Sequence, residues 1–252
     1  EWKAAIKPNT KLFFLETPSN PLGEVADLEA LAELAHSIDT LLVVDNSLLS
    51  PVGSQPLKHG ADISVSSATK AIDGHGRVMG GVLAGSEELM TQVAIYCNSC
   101  GLAMSPFNAW QLLSGVETLS LRMEKQFDNA LKIAQWLQQQ PQVQAVYYTG
   151  LPDHPQAELI RKQQNGGGIV IGFEVADQEA AWKVVDGVEL FSRTANLGDV
   201  RSTITHPWTT THGRMQPEEK LAANIRPGLI RLSVGLEHID DLIDDLQQAL
   251  NK

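Results

Sequence analysis

The segment Leu41-Leu42-Val43-Val44-Asp45-Asn46-Ser47 decides the predicted fold. Its consecutive apolar residues are typical of a strand buried on both faces, as in a parallel sheet covered by helices. Residues 27–38 precede it and predict a helix, because apolar residues recur on one face and Asp27 can cap the first turn. The strand ends abruptly in polar side chains, at the edge where open α/β sheets bind ligands.

Further apolar runs extend this pattern in both directions. Residues 11–16 predict a strand that ends at Thr17-Pro18-Ser19-Asn20-Pro21, where two prolines stop regular structure. More buried strands are expected at 62–66 and 78–84. Residues 105–140 have helical periodicity, with Pro106 suited to a first turn.

The remainder of the chain alternates shorter strands and helices. Strands are expected near 143–147, 168–174 and 229–234, and an amphipathic helix closes the chain. We therefore predict an α/β fold with two domains. A mostly parallel sheet domain would occupy residues 1–125, and a smaller α+β domain would occupy residues 126–252.

Composition excludes several classes of protein. The 252 residues are 43% hydrophobic, and their net charge of -11 disfavours nucleic acid and anionic membranes as partners. No apolar run approaches the roughly 20 residues of a membrane span. Cys97 and Cys100 are the only cysteines, so a disulfide framework is excluded and a cytoplasmic location is expected. The chain begins at Glu1 without a basic-then-apolar leader, which we interpret as a truncated or processed start.

Polar residues that follow three of the apolar runs are the candidate site. They are Asn20, Asp45 and the segment Ser66-Ser67-Ala68-Thr69-Lys70. Each is common in turns when taken alone. Together they supply an amine, hydroxyls and a carboxylate, which are the groups that pyridoxal phosphate requires for its aldehyde, phosphate and ring nitrogen. A desolvated lysine near cations has a lowered pKa and can act as nucleophile and base.

Several motifs in order resemble the cysteine and methionine metabolism family of fold-type I pyridoxal-phosphate enzymes. They cover nearly the whole chain and comprise Glu16-Thr17-Pro18-Ser19-Asn20-Pro21, Asp45-Asn46-Ser47, Ser66 to Lys70, Gly74-His75-Gly76 and Ile230-Arg231-Leu232-Ser233-Val234-Gly235-Leu236-Glu237. The resemblance implies that Lys70 carries the cofactor as a Schiff base and moves protons, and that Asp45 pairs with the pyridine nitrogen. It further implies that Ser67 and Thr69 hold the phosphate and that Asn20 lies beside the cofactor ring. Arg231 would bind the substrate carboxylate, with Asn196 nearby.

Finer features of the resemblance favour the sulfhydrylase branch of that family, since Asn196-Leu197-Gly198 is typical of it. That branch implies a homotetramer that replaces the succinyl group of O-succinylhomoserine with sulfide and gives homocysteine for methionine biosynthesis. Cystathionine γ-synthase or methionine γ-lyase activity is an alternative. A catalytically silent truncated fragment is another, because complete members begin upstream of Glu1 and hold a phosphate loop and a ring-stacking tyrosine there.

Three other features have competing interpretations. The spacing of Cys97 and Cys100 fits a metal or redox pair, but no second pair exists and two ordinary thiols are favoured. His206 and His212 could be ligands, but we expect them in a loop near the substrate. Residues 166–168 are three glycines before a strand, which indicates a flexible turn and not a phosphate loop.

Overall fold

A computed structural model describes all residues from Glu1 to Lys252. Its helices are Trp2–Ala5 (α1), Leu28–His36 (α2), Ser50–Gly53 (α3), Glu87–Cys100 (α4), Pro106–Val116 (α5), Leu119–Leu137 (α6), Ala157–Gln163 (α7), Gln178–Gly187 (α8), Pro217–Ala222 (α9) and Ile239–Leu250 (α10). Its strands are Leu12–Glu16 (β1), Leu41–Asp45 (β2), Ile63–Ser67 (β3), Gly81–Gly85 (β4), Ala145–Tyr147 (β5), Val170–Glu174 (β6), Ser192–Arg193 (β7), Thr203–Thr205 (β8) and Leu229–Ser233 (β9). The predicted α/β class is confirmed.

The first sheet has the order β1-β2-β3-β4, with the first three strands parallel and β4 antiparallel to β3. Asp45 pairs in register with Glu16 on one side and with Val65 on the other, so the carboxyl ends of the parallel strands lie side by side. Helix α2 covers this sheet, and its first turn is capped by the Asp27 carboxylate, which accepts from the Ala30 amide at 3.1 Å. The predicted cap is confirmed.

The second sheet has the order β5-β6-β9-β8-β7. Helices α6, α8 and α10 pack with it around a core of 20 buried residues that includes Phe173, Ile230 and Leu246. A smaller core lies between the halves of the chain, where Ala68 and Ala71 meet Met123 of α6 and Ile169. The turn that carries Lys70 therefore rests on apolar side chains from both halves. The boundary at residues 125 and 126 stays a prediction, and α6 runs unbroken across it.

Two predicted elements differ from those observed. Strand β4 begins at Gly81 and not at residue 78, because the Gly80 carbonyl accepts instead from the Ala68 amide at 2.9 Å. The prediction that this strand is buried is wrong, since β4 lies at the edge of the sheet and its first four residues are exposed. The predicted helical stretch 105–140 is two helices, and the chain turns at residues 117–118. Gly115 precedes that turn and lies so close to Ile72 that a Cβ atom there would clash with its carbonyl oxygen.

One face of the first half is apolar and exposed. Helix α4 buries no residue, and β4 is exposed along most of its length. Trp110 and Leu113 of α5 are 61% and 66% exposed. Separately, none of the helices combines the length and apolar character that a transmembrane span needs.

Candidate active site

Asp45 is fixed where β2 ends. Its Oδ1 atom accepts hydrogen bonds from the amide and the hydroxyl of Ser47 at 2.9 and 2.5 Å, the geometry of an Asx turn. The Ser47 hydroxyl in turn accepts from the Ser67 amide at 2.7 Å. Ser47 thus ties the ends of β2 and β3 together. The second carboxylate oxygen of Asp45 and the hydroxyl of Ser67 make no hydrogen bond within the chain, so both are available to a ligand.

Lys70 lies in a single π-helical turn, Ala68–Ile72, that directly follows β3. Its own backbone is not helical, with φ -86° and ψ -128°. The half-buried ammonium donates to the Asn196 side-chain oxygen at 3.2 Å. Burial lowers the pKa of Lys70, and the positive charge of Arg231 lowers it further. Its environment therefore favours the neutral, nucleophilic amine.

The loop that carries Asn196 packs directly against Lys70. Gly198 has φ +82°, and a Cβ atom built there would lie 2.8 Å from the Lys70 Cβ and 3.0 Å from its Cα. Only glycine fits this approach without displacement of the lysine backbone. The neighbouring Val200 amide donates to the Gly74 carbonyl at 2.7 Å, so the same loop is also attached to the chain just beyond the lysine turn.

Arg231 is a buried cation in the middle of β9, with 3% of its surface exposed. Its guanidinium donates to the Ala195 carbonyl at 2.7 Å and makes a long contact of 3.5 Å with the Asn20 side-chain oxygen. Neither acceptor is charged. Burial lowers the pKa of Arg231 to about 10, which leaves it protonated at neutral pH. A buried guanidinium without a carboxylate partner is a binding site for an anionic group.

The structure brings together most of the residues predicted from sequence. Lys70 meets Asn196, and Arg231 meets Asn20, so each contact joins the first half of the chain to the second. Thr69 is engaged elsewhere, because its hydroxyl accepts from the Gly80 amide at 3.1 Å. That hydroxyl still has lone-pair capacity for a further contact.

The two histidines lie in different surroundings. His206 is buried, and its Nδ1 accepts a hydrogen bond from the indole N–H of Trp182 at 3.1 Å. Its Nε2 donates to the Pro227 carbonyl at 2.7 Å, so both ring nitrogens have structural partners. Burial lowers the pKa of His212, and the charge of Arg231 adds to that effect. His212 is therefore the histidine that lies near the predicted substrate site. Cys97 and Cys100 are both in the last turn of α4 and are free thiols.

A family model described as "Cys/Met metabolism PLP-dependent enzyme" matches residues 1–251. The chain belongs to this family. Its members depend on pyridoxal phosphate, so the resemblance noted in the sequence is confirmed.

Individual relatives place the chain within the family only broadly. An O-succinylhomoserine sulfhydrylase of Pseudomonas aeruginosa is 52% identical over 99% of this chain, which spans 62% of the length of that relative. An L-methionine gamma-lyase of Porphyromonas gingivalis is 43% identical, and the chain spans 64% of it. The crystal structure of a cystathionine gamma-lyase from Micromonospora echinospora superposes with a TM-score of 0.94 at 36% identity, over 98% of this chain and 65% of that one.

The groups present in this chain fit the family cofactor. An amine with a lowered pKa, a carboxylate with one uncommitted oxygen and a free hydroxyl lie at the adjoining ends of β2 and β3. These are the partners that an aldehyde, a pyridinium nitrogen and a phosphate need. The guanidinium of Arg231, which lacks a carboxylate partner, has the geometry to bind a carboxylate.

A cavity of about 770 Å³ is lined by residues such as Glu16, Tyr147 and Arg226. It contains neither Lys70 nor Arg231. Chemistry and not volume identifies the site, because the cavity lining includes neither the lysine nor the guanidinium that lacks a carboxylate partner.

Two contributors to the site were not assigned a role from sequence. Ser47 was noted only as part of a motif, although the Asp-x-Ser spacing is the usual signal of an Asx turn. Gly198 was noted only as a branch marker, although its contact with Lys70 explains why glycine is needed there.

Proposed function

We propose that this chain carries the main catalytic groups of an enzyme that replaces the succinyl group of O-succinylhomoserine with sulfide, giving homocysteine and succinate. The observation that carries the proposal is the buried, unpaired guanidinium of Arg231 beside a lysine whose pKa its charge lowers. That pairing suits a substrate with an α-carboxylate whose Cα proton a neighbouring base removes. The 52% identity to a sulfhydrylase supports the choice of substrate.

Each residue has a proposed role in that reaction. Arg231 holds the α-carboxylate with Asn196 nearby, and Asn20 lies beside the cofactor ring. Lys70 takes the proton from Cα and returns protons later in the reaction. Asp45 keeps a proton on the pyridine nitrogen, while Ser67 and Thr69 bind the phosphate.

The bound cofactor supplies an electron sink for negative charge at Cα. Lys70 also removes a proton from Cβ, so that succinate leaves from Cγ with its bonding electrons; hydrosulfide then forms the new bond to Cγ, and protons return to Cβ and Cα. A lysine with a lowered pKa is suited to the proton transfers of this reaction, which contribute about 10²–10⁴-fold in rate. A cytoplasmic homotetramer is part of the same proposal, since it is the assembly that the family resemblance implies.

Chemical labelling tests the site before any turnover is assayed. The chain is mixed with pyridoxal phosphate, reduced with borohydride, and the modified lysine is located by peptide mass. We expect the label at Lys70, its loss in Lys70→Arg, and its retention in Lys58→Arg, which changes an exposed lysine. Scattered labelling in the wild-type chain would refute the cofactor site.

A substrate panel tests the reaction itself. We expect homocysteine from O-succinylhomoserine with sulfide, faster than with cysteine as the thiol donor. Release of a thiol from methionine would instead indicate a γ-lyase, and use of cysteine would indicate a cystathionine γ-synthase. Specific labelling of Lys70 without turnover of any substrate would identify the chain as a catalytically silent fragment.

A further inference from the structure

Helix α6 has a polar stripe on its buried face. Arg122, Gln126 and Asn129 follow one another at helical spacing and are 5%, 0% and 0% exposed. The remaining buried positions of the helix are mainly apolar, among them Met123 and Ile133. Burial of polar groups is unfavourable unless each finds a partner, so this stripe must satisfy specific acceptors.

The acceptors are almost all backbone carbonyls outside regular ladders. Arg122 donates to the carbonyls of Ala71 at 2.8 Å, Ile72 at 3.2 Å and Gly115 at 2.7 Å. The first two directly follow Lys70. The stripe therefore holds the lysine turn by its backbone.

Gln126 lies one turn further along and holds two other segments. Its amide nitrogen donates to the Asp199 carbonyl at 3.0 Å and to the Val234 carbonyl at 2.8 Å. Asp199 belongs to the loop of Asn196, and Val234 directly follows the strand of Arg231. Asn129 continues the pattern by donating to the carbonyls of Gly235 and Glu237, both at 3.0 Å.

The stripe is unusual for the buried face of a helix, because some of its polar atoms have no partner. The Gln126 and Asn129 side-chain oxygens are buried without a partner. Burial lowers the pKa of Arg122, whose guanidinium also forms no ion pair with a carboxylate. Unpaired buried oxygens destabilise a fold, so the stripe incurs a cost in stability to place its donors.

We propose that Gln126 and Arg122 are positioning residues that set Lys70 against Asn196 and Arg231. This inference rests on the proposed function and extends it to residues that touch neither substrate nor cofactor. One rigid helix fixes the backbone on both sides of the site, so the Lys70–Asn196 contact and the effect of Arg231 on the lysine pKa depend on α6.

The test measures the pH dependence of Lys70 modification by trinitrobenzenesulfonate on the cofactor-free chain, with the site read by peptide mass. Gln126→Met keeps the length of the side chain and removes both donated bonds. We expect its Lys70 midpoint to rise toward the ordinary lysine pKa by about half a unit or more, which slows modification at least roughly threefold at a fixed pH below the midpoint. Gln126→His, which keeps one donor, should recover part of that shift.

Ala130→Gly is the matched control, because it weakens the same helix at a buried position that holds no loop carbonyl. We expect its Lys70 midpoint to equal that of the wild-type chain. Equal midpoints for Gln126→Met and Ala130→Gly would overturn the proposal and leave the stripe a structural feature.

A second variant covers the case in which Gln126→Met does not fold. Arg122→Lys keeps the charge but cannot span the carbonyls of Ala71 and Ile72, so the same rise in the Lys70 midpoint is expected. An unchanged midpoint in that folded variant would also overturn the proposal. The measurement uses neither cofactor nor substrate, so failure of the proposed reaction would not affect its outcome.

Discussion

Substitution of Gly198 by alanine gives the most direct test of how tightly the site is packed. Alanine at φ +82° must adopt the left-handed region of backbone conformation, which costs about 1–2 kcal/mol. Its Cβ would also lie 2.8 Å from the Lys70 Cβ and 3.0 Å from both the Lys70 Cα and the Ala71 nitrogen. Overpacking of this kind costs about 1–3 kcal/mol, because these atoms belong to the backbone or its first side-chain carbon and cannot swing away.

Gly101→Ala is the matched control for that experiment. Gly101 has φ +71° but no atom within 4 Å of a built Cβ, so alanine there has the backbone cost alone. Urea unfolding should show Gly198→Ala to be less stable than Gly101→Ala by about 1–3 kcal/mol, the overpacking contribution. Only Gly198→Ala should slow the labelling of Lys70. Equal stability losses, together with wild-type labelling in both variants, would refute the close packing of loop and lysine.

Three further predictions concern charge and capping. Arg231→Met removes a charge that lowers the Lys70 pKa, so the pH midpoint of Lys70 modification should rise, and an unchanged midpoint would contradict the coupling. Burial raises the pKa of Asp245, but hydrogen bonds from three amides in residues 189–191 outweigh that effect and lower the pKa overall. The stability that these bonds give is complete above the pKa of Asp245 in the unfolded chain, and it is lost as pH falls through the lower pKa of the folded protein. Asp245→Asn should therefore cost about 1–3 kcal/mol near neutral pH and lose less stability than the wild type as pH falls below about 4, as measured by denaturant unfolding at each pH. Asp27→Ala should cost about 1 kcal/mol by the same method through loss of its cap, and no loss would contradict a capping role.

Strands and the principal helices were predictable because their burial imposes a period on the sequence. Residues 41–44 have no polar residue, and β2 is buried through its centre. Helix α4 was missed, since none of its residues is buried and burial therefore leaves no periodic signal. Strands β7 and β8 are too short to show a period at all.

The candidate site was predictable where it depends on local position. Asp45, Ser67 and Lys70 follow strands, and parallel strands bring such residues to one edge. The contacts between distant segments were not predictable from spacing, because they depend on how the two sheets pack. The Arg122 stripe left no signal either, since its acceptors are carbonyls, which every residue type provides.

The contact of Lys70 with Asn196 makes the amine a reporter of assembly. Lys70 belongs to the first sheet, whereas Asn196 and Arg231 come from the second half of the chain, so neither half alone contains the surroundings that lower the lysine pKa. The loop at Gly101 is exposed and open, which makes it a suitable place to divide the chain. If fragments 1–101 and 102–252 reassociate, the reactivity of Lys70 toward an amine reagent at mildly alkaline pH would follow their docking without a label built into either fragment.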